Sequence, residues 1–235
     1  VILDRTCRLG LLADLVRQVP CRRLVDIGCD HAAVPLALLK EGCCESVLVT
    51  DVREVPLRAA EKKAGEEGLR AGFQAKLAKG LEGLELNRED ILLISGLGGD
   101  TIAAILEDHP DKLHLPKRII IQPQTREETV RSAFFRTGLA ITDEQCVEDR
   151  GRIYLVILSD RETPGHSRMS ELEIYFGPVI LSRLAKLVND PLLNRYLKKR
   201  IDRLKKQAPY NSQSAELLET FEQIFHLSYN RWDQG

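Results

Sequence analysis

Short apolar runs alternate with segments of helical character through the first two-thirds of this 235-residue chain, and that alternation constrains its fold more than any other feature. The runs fall at 24–27, 46–50, 73–77, 91–95 and 119–122, with helical patterns at 32–40, 56–67 and 101–107 among them. They are apolar on both sides of the alternation, as expected when helices cover both faces of a parallel sheet. This order predicts a doubly wound α/β domain. Two later runs, 139–147 and 152–159, are joined by the charged turn Glu148-Asp149-Arg150-Gly151 and read as an antiparallel hairpin closing the sheet.

That hairpin is foreign to an ordinary dinucleotide-binding fold and typical of a Rossmann-like class I methyltransferase sheet, the fold class expected here. A helix at 8–19 precedes the sheet and ends at Pro20, and Thr163-Pro164-Gly165-His166 reads as a linker after it. Beyond Ser170 no β pattern survives. Ser170 and Glu173 have the spacing of a capping box. Leu193, Leu197, Ile201 and Leu204 form one apolar stripe, and Leu217, Leu218, Phe221, Ile224 and Phe225 a second. With turn residues at 208–211 between them, the stripes predict an antiparallel coiled-coil hairpin. The expected division is therefore 1–162, an α/β domain with an N-terminal helix, and 163–235, an α-helical domain.

Composition narrows the function classes. With 43% hydrophobic and 29% charged residues the chain can bury a real core and is not of disordered type. No apolar run approaches the roughly 18 residues of a bilayer span. The opening residues carry a charge by the fourth position and do not read as a signal peptide; with no initiator Met, the first residue is expected to follow some trimming. The six cysteines form no C-x-x-C pair and no finger spacing with histidine, so no metal site is expected and the thiols read as reduced, in a cytoplasmic protein.

The loop after the first run, Asp26-Ile27-Gly28-Cys29-Asp30-His31, sits where open α/β sheets bind ligands. A pyrophosphate needs three glycines there. One glycine flanked by acids suits instead a cationic amino-acid moiety, such as that of S-adenosylmethionine. A plain turn with Asp30 capping the next helix is the alternative. Asp51, at the end of the second run, can accept hydrogen bonds from both ribose hydroxyls of an adenosyl group. After the fourth run, Ser95-Gly96-Leu97-Gly98-Gly99-Asp100 borders the position of a transferred methyl group and leaves room for a base, or else forms a tight helix start. Gln122-Pro123-Gln124 faces the same edge, as a base contact or an ordinary polar strand end. Between 183 and 206 nine basic residues stand against Asp190 and Asp202, which suits a phosphate backbone; a solvated helix face is the alternative.

At these residues the chain resembles the bacterial tRNA (adenine-22-N1)-methyltransferase family. The likeness rests on Arg8-Leu9, the block from Asp26 to Ala32 with Pro35, Pro56, Gly80-Leu81, Gly96 to Gly99, Gln122-Pro123, Arg131, Gly151 with Tyr154, and Glu171 to Pro178. The chain departs from the family pattern at Thr50-Asp51, Val55, Lys79 and Gln124, where Gly-Glu, Gly, Asp and Asn are usual. The resemblance implies transfer of a methyl group from S-adenosyl-L-methionine to N1 of an adenine in tRNA. It implies a cofactor site of Asp26, Gly28, Cys29, Asp30, Asp51, Val52, Lys79, Gly80, Ser95 and Gly96, and catalysis by Asp30, with His31 positioning and Arg8 anchoring RNA. Gly98, Gly99, Gln122, Pro123 and Gln124 would meet the base, and Lys198, Lys199 and Arg203 the tRNA backbone. Two other readings stay open: an RNA-binding module without catalysis, and a methyltransferase for a small molecule or protein. The oligomeric state is not readable from the sequence.

Overall fold

The structure is a computed structural model that describes residues 7–29, 31–165, 168–186 and 189–225. Its elements are α1 (Arg8–Arg17), β1 (Cys21–Ile27), α2 (Ala33–Lys40), β2 (Cys44–Asp51), α3 (Glu54–Glu66), β3 (Phe73–Leu77), β4 (Asp90–Leu97), α4 (Gly99–Asp108), α5 (Pro110–Leu113), β5 (Arg118–Pro123) and α6 (Glu127–Arg136). Then come β6 (Asp143–Asp149), β7 (Arg152–Asp160), α7 (Glu171–Phe176), α8 (Pro178–Ala185), α9 (Pro191–Gln207) and α10 (Ser212–Phe225).

The strands form one seven-stranded sheet in the order β3-β2-β1-β4-β5-β7-β6. The first five are parallel, and β7 pairs antiparallel with both β5 and β6. Their buried faces follow from the apolar runs: β4 begins with five consecutive buried residues and β5 has five in a row. The β6–β7 turn is short because Arg150 and Gly151 both take positive φ, the combination that matches the twist of a two-residue hairpin. Strand β6 starts at Asp143, not at 139. Leu139, Ala140 and Ile141 are buried, but as the loop that leaves α6, so their apolar character serves packing outside the ladder.

The helices after the sheet pack onto it. Met169, Leu172, Phe176, Leu193, Leu197, Leu204 and Phe221 share one hydrophobic cluster with Phe134, Leu155 and Ile157. The capping box is formed: Glu173 N–H donates to the Ser170 hydroxyl, and Ser170 N–H to the Glu173 carboxylate. Helices α9 and α10, joined by residues 208–211, pack together as a hairpin. The expected linker at 163–166 lies partly outside the described residues, at His166.

Candidate active site

Side chains expected from the sequence to be functional gather at the carboxyl ends of β1, β2, β4 and β5, where two cavities open. Gly28 has φ +78°, a conformation that costs a residue with a Cβ about 1 kcal/mol or more. The N–H groups of Gly28 and Cys29 both donate to the Thr50 carbonyl, at 2.8 and 2.9 Å, and fasten the loop onto β2. A Cβ on Gly28 would stand 3.1 Å from the Leu97 side chain, so the end of β4 lies directly against this loop.

Two cavities flank the Gly28–Leu97 contact. One, of about 470 Å³, is lined by Arg8, Asp26, Cys29, His31, Ser95, Gly96 and Gln124, among others. The other, of about 360 Å³, includes Val52, Ala78, Lys79, Gly80, Leu81 and Ile105. Gly28, Asp51, Arg53 and Leu97 line both. The first cavity is the more polar of the two and has the buried Asp26 on its lining, and the second is mostly aliphatic, with Lys79, Asp108 and His109 also on its lining. An elongated ligand with a charged head and a flat heterocyclic tail fits such a pair.

Burial alone pushes the Asp26 carboxyl up to about 7, and among the described residues no cation is paired with this acid. At Asp51 the Arg53 backbone N–H donates to Oδ1 at 2.9 Å and the Arg53 Nε lies 3.4 Å from the same oxygen. Both contacts fall on Oδ1. The residues expected to hold the cofactor are thus brought together, apart from Asp30, which lies outside the described residues.

The residues expected to meet the base divide. Gln124 lines the first cavity, and its N–H donates to the Leu97 carbonyl at 2.8 Å. Gly98, Gly99, Gln122 and Pro123 are absent from both linings. At Gly99 any side chain would run into the carbonyl oxygens of Thr125 and Arg126, so this glycine lets the start of α4 touch the β5–α6 loop. Gln122 is wholly buried, accepts from Arg8 Nη1 at 2.6 Å and donates to the Pro123 carbonyl at 2.6 Å.

The basic run is less free than its composition suggests. Arg183 bonds the Glu144 carbonyl and Asp143, Arg195 pairs with Glu148, and Arg203 lies 3.7 Å from Glu128. Arg200 is buried between Glu127 and Glu128, with its guanidinium 3.8 Å above the Tyr175 ring. Lys198, Lys199, Arg203 and Lys206 line an open groove of about 690 Å³ between α9 and Ile153 of β7. Among the described residues no group of three metal-binding side chains occurs, and no helix is long and apolar enough to cross a membrane.

A sheet of this order, with its one antiparallel strand second from the edge and acids at the ends of β1 and β2, is that of a class I methyltransferase. The sequence profile described as "Methyltransferase domain" matches residues 6–157, and the chain belongs to that family. It is 28% identical over 137 residues to the tRNA (adenine(22)-N(1))-methyltransferase of Bacillus subtilis, a match spanning 58% of each protein. A Streptococcus pneumoniae candidate tRNA (m1A22) methyltransferase, solved in complex with S-adenosyl-L-methionine, superposes with a TM-score of 0.75 at 26% identity, covering 92% of this chain and 99% of that one. M. capricolum TrmK, solved with S-adenosyl-homocysteine, gives 0.72 at 25% identity, with 91% and 94% covered.

Proposed function

We propose that the protein transfers a methyl group from S-adenosyl-L-methionine to N1 of adenine 22 in tRNA. The observation that carries this reading is the pair of cavities meeting at Gly28 and Leu97, with Asp26 and Asp51 at their polar edges. Asp26 suits the amino-acid end, because an ammonium would supply the cation that its carboxyl lacks among the described residues. Asp51, Oδ2 foremost, suits the ribose hydroxyls, and Val52, Lys79, Gly80 and Ile105 surround the adenine end. When bound, the cofactor supplies a methyl group activated on a sulfonium.

The chain needs no covalent nucleophile, since adenine N1 offers its own lone pair. Its task is to place the ring and to answer the positive charge that N1-methylation leaves. A carboxylate beside the exocyclic amine can stabilise that charge or take a proton from the amine. Asp30 is the residue we assign to this, with His31 and Gln124, which line one cavity, orienting the base and Arg8 anchoring the RNA. Residues 1–162 hold the cofactor, and the helical part, 163–235, meets the tRNA with Lys198, Lys199 and Arg203. The relatives named above support the choice of tRNA over a small molecule or protein. Asp30→Asn keeps the shape and removes the charge. It should lower turnover by about 10²-fold, with little loss of cofactor affinity; near-native turnover would overturn the assignment of Asp30.

A further inference from the structure

We propose that Gln122 is a positioning residue that holds the Arg8 guanidinium as a docking point for a backbone phosphate of the target nucleotide. This rests on the functional reading above and adds a residue that acts without touching RNA. Arg8 opens α1, far in sequence from β5, yet its Nη1 donates to the buried Gln122 Oε1 at 2.6 Å. The other end of the same amide is fixed on the Pro123 carbonyl, so the acceptor cannot swing away from Arg8. On its remaining sides the guanidinium lies 5.5 Å from the centre of the Tyr154 ring, and its Nε 3.9 Å from Asp149. Nη1 also comes within 3.7 Å of where a Cβ would stand on Gly96, at the lip of the first cavity.

The chemistry decides what such a guanidinium can receive. N1-methylation turns the adenine ring cationic, and a fixed positive charge against the ring would oppose the product. A phosphodiester has the opposite sign and the geometry of the guanidinium fork. Asp149, at 3.9 Å, is too distant to occupy that fork. The amide therefore orients a cation toward the RNA backbone while leaving the base to other residues.

The test is a double-mutant cycle read by equilibrium tRNA binding and by KM and kcat. Arg8→Ala and Gln122→Leu should each weaken tRNA binding and raise its KM by about fivefold or more, as loss of a charge-assisted hydrogen bond implies. Cofactor affinity should stay unchanged. Gln122→Leu should add nothing in the Arg8→Ala background, and Arg8→Ala should flatten the slope of log affinity against log salt by about 0.7–0.9. Gln122→Glu keeps an acceptor for Arg8 but gives up the bond to the Pro123 carbonyl, so it should fall between native and Arg8→Ala, which preserves the test if Gln122→Leu does not fold. Additive effects, an unchanged salt slope for Arg8→Ala, or Gln122→Glu as impaired as Arg8→Ala would each overturn the inference alone. A wild-type protein that binds no tRNA would overturn the functional reading with it.

Discussion

The Nε of Arg131, in α6, donates to Glu144, in β6, at 2.7 Å, and neither side chain is exposed. The remaining guanidinium nitrogens reach the carbonyls of Ile174 and Tyr175 and the Tyr196 hydroxyl. The other Glu144 oxygen accepts from the N–H groups of Val179 and Ile180, where α8 starts. Gly177 has no alternative beside that carboxylate, because a Cβ there would collide with it. The pair thus ties the sheet to the helices that follow it. Arg131→Met should cost about 3–5 kcal/mol by leaving Glu144 buried and uncompensated. Replacing both residues with apolar ones should cost less than the single change. Urea unfolding of the two variants measures this, and equal or reversed costs would show that the pair does not act as a unit.

Asp26 gives a pH dependence whose sign can be worked out. Its folded value is about 7 against an ordinary 3.8, so between those values the folded state holds a proton that the unfolded chain has lost. Stability of the cofactor-free protein should therefore fall as pH rises through that window, by at most about 1.4 kcal/mol per pH unit from this group. Asp26→Asn should remove that contribution. Cofactor affinity should run the other way, weakening as pH drops below 7, because an ammonium favours the ionised carboxyl. Calorimetry with S-adenosyl-L-methionine on either side of that value reads it, and the same pH dependence in Asp26→Asn would exclude Asp26 as the cause.

Asp51→Ala should weaken S-adenosyl-L-methionine binding by about 1.5–3 kcal/mol, the range for losing hydrogen bonds to a charged acceptor. Thermal stability in the absence of cofactor should change less than affinity does. Unchanged affinity would remove Asp51 from the ribose position.

How much of the molecule is legible in its sequence follows from the range of the interactions. The runs that form β1 to β5 and the hairpin turn are local patterns of burial and backbone preference, and they stand in the structure within a few residues. The capping box is local too. Helix α6 has no apolar stripe as clear as those of α9 and α10, so its pattern does not announce it. What the basic run does not show is that Arg200 is buried in an ion pair, because its partners, Glu127 and Glu128, lie more than 70 residues away on another helix. Gln122 is readable as a polar strand end or a base contact; its partner, Arg8, is 114 residues distant. Gly99 reads as room for a base, whereas the space is taken by the backbone of Thr125 and Arg126.

The groove beside α9 tests the RNA-binding part. Neutralising Lys198, Lys199 and Arg203 together should weaken tRNA binding and leave cofactor binding intact. Every phosphate interaction removed in this way should flatten the salt slope by about 0.7–0.9. Arg203 also faces Glu128 at 3.7 Å, so its share should be smaller than that of Lys199. A fixed slope in the triple variant would mean that the RNA is held elsewhere.

Methyl transfer to adenine 22 is read by incubating the protein and S-adenosyl-L-methionine with tRNA that lacks the modification, then digesting the RNA and identifying the nucleosides. The expected product is 1-methyladenosine, mapped to position 22 and abolished when the target adenine is replaced. A methylated nucleoside of another kind, or no methylated product from a protein that binds both cofactor and tRNA, would contradict it.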